Sequence, residues 1–210
     1  RAVCHTRLEQ QPSHRRQHRA TTAKQSVGER HITQRAQRQR GITAGVAFDP
    51  ASNLVLLSSP RDRTIYRISA TLEDSGPWAS IFDRAESIGP LAIDSAGKRL
   101  LVGESFSGIV YSLALDSGRQ GTVANDLGSV NSLGVDRHHN RVYIADSARR
   151  TIWALPLAAR APKVPFYRSG ELKAVTGVAV DGQSNVWVGV YSPARVIVLA
   201  PDGKRLAVME

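Results

Sequence analysis

From residue 41 onward the apolar residues fall into short runs separated by polar stretches rich in Gly, Pro, Ser, Asn and Asp. The runs are enriched in β-branched and aromatic residues and are too short for ordinary helices, so the pattern predicts strands. It also repeats. Each unit opens with an apolar run closed by an aspartate: Gly45 to Asp49, Leu91 to Asp94, Leu133 to Asp136 and Gly177 to Asp181, with the aspartates 45, 42 and 45 residues apart. A turn-forming stretch follows each one (Pro50 to Asn53, Ser95 to Gly97, Arg137 to Asn140, Gly182 to Asn185), which predicts hairpin tips. A second run comes next, at Leu54 to Leu57, Leu100 to Val102, Val142 to Ile144 and Val186 to Val188. The third lies at Thr64 to Ile68, Ile109 to Leu113, Thr151 to Leu155 and Val196 to Leu199, and a less regular fourth at Trp78 to Phe82, Gly121 to Ala124, Val164 to Tyr167 and Leu206 to Met209. Four antiparallel strands per repeat of this length define the blade of a β-propeller. The expected fold is therefore all-β, with four blades at about 41–84, 85–127, 128–172 and 173–210.

Residues 1–40 break the pattern. They hold 10 Arg and Lys against Glu9 and Glu29, seven Gln and no aromatic residue, while residues 41–210 hold 18 basic against 16 acidic residues. Most of the formal +10 charge thus belongs to this segment, for which the composition predicts a disordered basic tail. Clustered arginines attract phosphates, but without interleaved aromatics the tail lacks a base-stacking component, so nucleic acid is not an expected partner. Cys4 is the only cysteine, which excludes an internal disulfide and a thiolate metal cage. No apolar run approaches the roughly 18 residues that span a bilayer, and no secretory h-region opens the sequence. The chain reads as soluble, with its compartment unassigned.

The segment Val142-Tyr143-Ile144-Ala145-Asp146-Ser147 followed by Thr151-Ile152-Trp153, and Asn185-Val186-Trp187-Val188 followed by Arg195-Val196-Ile197 and Pro201-Asp202-Gly203-Lys204, resemble the NHL and SMP-30/gluconolactonase propellers. The resemblance covers residues 41–210 and implies a six-bladed ring, of which four blades are visible. Neighbouring blades bury each other's faces, so a four-blade arc leaves apolar ends to cover. Three arrangements answer this: a fragment with further blades upstream, which is preferred, a ring completed by a second chain, or a small four-bladed closure. Self-association through open blade edges is expected if the ends stay uncovered.

Ligands of propellers meet the channel mouth. Five residues before each landmark aspartate, in the loop entering the innermost strand, stand Ala44, Gly89, Asn131 and Thr176. The resemblance implies that this position supplies oxygens to a divalent cation in SMP-30-like lactonases. Asn131-Ser132-Leu133 matches one such motif, Val175-Thr176-Gly177 has lost the carboxylate of another, and Ile88-Gly89-Pro90 offers no side-chain oxygen. Ten residues after each aspartate stand Ser59, Glu104, Asp146 and Tyr191, in loops emerging on the same face. Glu104, Asp146 and Asn131 are therefore expected to converge at the mouth, with Glu104 and Asp146 the acid–base candidates, although the Asp of an Ala-Asp-Ser turn ordinarily caps loop amides. His138 and His139 sit on a hairpin tip at the opposite face and read as a solvated turn. Gly103 to Gly108 lacks nucleophile-elbow spacing, and Trp153 and Trp187 read as core.

One Asn cannot hold Ca²⁺ or another hard divalent cation, which takes several oxygens with carboxylates among them. The residues accordingly favour a binding or scaffold propeller of NHL type, with a small molecule or protein held near Asn131, Glu104, Asp146, Thr176 and Tyr191 and no cofactor. The alternative that the resemblance implies is a metal-dependent lactonase or esterase, incomplete in this chain.

Overall fold

The computed structural model describes residues 44–69, 71, 75–80, 85–158 and 162–210. The segment read as a basic tail, Cys4 and the end of the expected fourth strand at Phe82 lie outside them. Among the described residues sixteen strands form four sheets of four, each a simple antiparallel meander. The first sheet holds β1 (Gly45–Asp49), β2 (Leu54–Ser59), β3 (Thr64–Ser69) and β4 (Ser75–Ser80). The second holds β5 (Ile88–Asp94), β6 (Arg99–Glu104), β7 (Val110–Ala114) and β8 (Gln120–Ala124). In the third are β9 (Val130–Asp136), β10 (Arg141–Asp146), β11 (Thr151–Pro156) and β12 (Val164–Arg168). A 3-10 turn, Gly170–Ala174, leads to the fourth, with β13 (Val175–Val180), β14 (Val186–Val190), β15 (Arg195–Leu199) and β16 (Arg205–Met209). Innermost strand packs beside innermost strand, β1 on β5, β5 on β9 and β9 on β13. No comparable packing joins β13 to β1 among the described residues. The fold is a β-propeller array, as the repeat predicts.

Strand alternation explains why the middle blades read as nearly continuous apolar runs. Successive side chains point to opposite faces, and in blade 2 both faces are covered. Leu100 and Val102 pack towards Leu56 and Ile65 of blade 1, whereas Leu101, between them, packs towards Val142 and Ile144 of blade 3. Blade 3 repeats the arrangement, with Tyr143 and Ala145 turned to Val186, Val188 and Ile197 of blade 4. The end blades alternate instead. Val46 and Phe48 of β1 are 64% and 52% exposed, and in β13 Thr176 and Ala179 are exposed while Val178 is buried.

The landmark aspartates fasten the hairpin tips. Their carboxylates accept from backbone amides two to four residues on: Ala51 for Asp49, Gly97 for Asp94, His138 and His139 for Asp136, Gln183 and Asn185 for Asp181. These are Asx turns, and each places one residue at positive φ, namely Asn53, Lys98, Asn140 and Ser184.

Two of the aspartates also clasp neighbouring blades. Asp94 accepts from Arg99 Nε at 2.7 Å, and the same guanidinium donates to the Leu157 carbonyl of blade 3 at 2.7 Å. Asp136 holds Arg141 Nε at 3.4 Å, and that guanidinium reaches the Pro201 carbonyl of blade 4 at 3.1 Å. Ser184 returns a bond from blade 4 to Asp136 at 3.0 Å. His139 Nδ1 lies 2.8 Å from the same carboxylate, so this member of the His pair is tied to its own turn. Among the described residues no helix is long and apolar enough to cross a membrane.

Candidate functional site at the channel mouth

Antiparallel order puts the start of each innermost strand and the turn between its second and third strands on one face. The structure therefore brings together the two sets of positions that the repeat aligns, but it gives them different tasks. Glu104 is fully buried, one carboxylate oxygen accepting from the Ser87 amide at 2.8 Å and the other from the Ser107 amide. Asp146 is likewise fully buried. It accepts from the amides of Gly128 at 2.8 Å, Ser129 at 3.0 Å and Arg149 at 3.0 Å, and from the indole of Trp153 at 3.1 Å.

Each carboxylate thus ties the turn after the second strand to the segment entering the innermost strand of its own blade. The expectation that Glu104 and Asp146 present oxygens to a ligand gives way on this point. Their lone pairs are committed to loop N–H groups and, for Asp146, the Trp153 indole, and turning either carboxylate outward would break those bonds. Burial and the nearby Glu104 charge also push the Tyr111 phenol upward.

Asn131, Thr176 and Tyr191 remain at the surface of the mouth. Asn131 Oδ1 accepts from the Ser147 amide at 3.1 Å, which fixes the side-chain amide against the turn. Thr176 Oγ1 donates to the Gly189 carbonyl at 3.3 Å. Tyr191 is 77% exposed, and its backbone N–H is bonded to the Ala174 carbonyl. The other entry positions contribute no polar side chain, Ala44 being exposed and Gly89 buried. No group of three or more His, Cys, Asp or Glu converges among the described residues.

The donor set does not fit a hard divalent cation. Asn131 supplies a single amide oxygen that already accepts an N–H, and the carboxylates of Glu104 and Asp146 are spent on loop amides and an indole. What the aligned positions leave exposed at the described mouth is an amide, a hydroxyl and an aromatic face.

Two tryptophans part company. Trp153 is enclosed between blades 2 and 3 and satisfied by Asp146, as a core residue. Trp187, expected in the core, is 37% exposed and donates to Asp181 at 2.9 Å, because its face of β14 is the outer face of the last blade. A further polar feature was not singled out by the repeat: Arg149, Arg150, Arg168, Ser169 and Gly170 line an open groove on the mouth face of blade 3.

With this geometry, residues 88–210 match the family described as the SMP-30/Gluconolactonase/LRE-like region, more than half of the chain, and the protein belongs to that family. A gluconolactonase from Xanthomonas campestris is similar in fold, with a TM-score of 0.67 at 17% identity over 79% of this chain. The calcium-binding protein regucalcin from Agrobacterium tumefaciens gives 0.52 at 18% identity, over 80% of this chain and 74% of its own. A catalytically inactive virginiamycin B lyase from Staphylococcus aureus, solved with quinupristin, gives 0.67 at 8% identity over 82% of this chain. At these identities the likeness is one of fold. The chain spans 61% of the length of the gluconolactonase and 56% of that of the lyase. No curated protein sequence matches it.

Proposed function

We propose that these blades form part of the ligand-binding mouth of an SMP-30-type propeller whose chemistry is the opening of a lactone or related ester. Membership of the family over residues 88–210 carries the reading. In it, Asn131, Thr176 and Tyr191 contact a small polar ligand: the carboxamide and hydroxyl match ring and hydroxyl oxygens, and the tyrosine ring covers an apolar face. If the reaction uses a divalent cation, Asn131 is the member of this set that contributes an oxygen to it.

Titration of the folded chain with a hydrolysis-inert sugar lactam tests the reading. Saturable binding that weakens about tenfold in Asn131→Ala, the loss of one or two hydrogen bonds to the ligand, with unchanged thermal stability, is the expected result. A folded chain that binds no such ligand would overturn it.

The sealing of Glu104 and Asp146 favours a second reading, a non-catalytic propeller that holds a small molecule or a protein at the same mouth. It predicts the same Asn131 and Tyr191 dependence but no lactone hydrolysis in any longer form of the protein.

A further inference from the structure

The groove on the mouth face of blade 3 is distinct from the channel. Arg149 and Arg150 stand in the turn from β10 to β11, and Arg168, Ser169 and Gly170 carry the chain from β12 towards the 3-10 turn. The Ser169 amide donates to the Arg150 carbonyl at 3.3 Å, which ties the two segments together. Two of the three guanidiniums are held in place. Arg168 Nε donates to Thr151 Oγ1 at 3.2 Å, and that buried hydroxyl donates onward to the Arg149 carbonyl at 2.8 Å. Arg149 spans the Asp126 carbonyl and carboxylate, both at 2.8 Å.

Charge accumulates here because the neighbouring acids are otherwise engaged. Asp126 is paired with Arg149. Glu171, which touches the Ser169 hydroxyl, is paired with both Arg195 and Arg205. Asp146 lies beneath the turn with its oxygens on amides. Among the described residues no carboxylate pairs with Arg150 or Arg168. The open groove has a volume of about 590 Å³.

We propose that this groove binds the phosphoryl group of a small molecule through Arg150 and Arg168, with Arg149 supporting the turn. A planar guanidinium matches phosphate oxygens with paired N–H donors, and two arginines lining one groove suit a dianion better than a single carboxylate. The site acts beside the mouth and would select phosphorylated ligands over neutral ones.

The test is an NMR titration of the isotope-labelled folded chain with inorganic phosphate at constant ionic strength, with acetate as comparator. Amide shifts that saturate and concentrate on Arg149 to Thr151, Ser169 and Gly170, with acetate weaker, support the site. Arg150→Glu and Arg168→Glu should each weaken phosphate binding about tenfold or more, as loss of a charge-assisted bidentate contact does. Arg137→Glu, on the opposite face, should change it by less than about twofold. Shifts that scatter over the surface, equal response to acetate, or equal loss in Arg137→Glu would overturn the proposal. So would binding of an oligonucleotide at the groove without binding of free phosphate. The mapping on the unsubstituted chain decides the matter even if a variant fails to fold.

Discussion

At the scale of single residues, the most consequential groups in this propeller are two carboxylates that serve its backbone. Asp146 satisfies three amides and one indole at once. Replacing it with Ala takes the acceptor from the buried Trp153 indole and from three partly buried amides, and a buried donor left unpaired costs about 1–3 kcal/mol. Asp146→Ala should therefore lose about 3 kcal/mol or more in chemical denaturation, whereas Asp146→Asn, which keeps one acceptor oxygen, should lose less. A variant as stable as the parent would show that the loops find other partners. Gly108 offers a second point of contact with experiment. Its φ is +64°, and an added Cβ would lie 2.0 Å from the Leu127 carbonyl oxygen, which is backbone and cannot swing aside. Gly108→Ala should cost more than about 1 kcal/mol, from strain and collision together. Equal denaturation midpoints would contradict the close approach.

At the scale of elements, the hairpin tips and blade-to-blade clasps share the landmark aspartates, so their protonation couples local and tertiary structure. Burial raises the Asp136 carboxyl, but the His139 amide and ring, with the Ser184 hydroxyl, outweigh it and leave it below the ordinary range. The Trp187 indole and the Asn185 side chain hold Asp181 down at about 2. A carboxylate that is more acidic folded than unfolded stabilises the fold fully above its unfolded value and loses that contribution as pH falls through its folded value. For Asp181 the window runs from 3.8 down to about 2. The urea midpoint should therefore decline on acidification across this window, and Asp181→Asn should flatten the decline. A midpoint that rises as pH falls would contradict the assignment.

Much of this scale was legible in the sequence, and particular elements show why. Asp49, Asp94, Asp136 and Asp181 recur because each hairpin needs the same turn, and Leu100 to Val102 reads as unbroken apolar sequence because both faces of blade 2 are covered. The orientation of Glu104 and Asp146 was not legible. Chain direction gives the face on which their turns emerge, but whether a side chain looks outward or back at an amide depends on the entry loops of Ser87 and Gly128, which no periodicity encodes. Trp187 misled for a related reason, since its strand pattern matches that of blade 3 while its outer neighbour differs. The arginine groove joins turn residues nearly twenty positions apart. The doubled Arg149-Arg150 at a turn was its only visible signal.

At the scale of the whole molecule, the described array ends in two apolar faces. On blade 1, Val46 lies opposite Leu57 and then Tyr66, and Phe48 opposite Val55 and then Ile68, so these six side chains share one face. On blade 4, Ala179, Trp187, Val198 and Ala207 do the same. Apolar sheet faces of this kind are covered in stable proteins. The chain should associate as its concentration rises, with Phe48→Lys lowering the apparent mass in sedimentation velocity. A monomer at all concentrations would show that these faces are tolerated in water.

On the function proposed above, the described mouth binds a small ligand through Asn131, Thr176 and Tyr191 and does not itself assemble a cation site. Calorimetric titration of the folded chain with Ca²⁺ tests it most directly. No stoichiometric binding and no change in thermal stability on adding the ion are the expected results. One equivalent bound tightly, and lost in Asn131→Ala, would contradict it and place a metal-dependent centre within these blades.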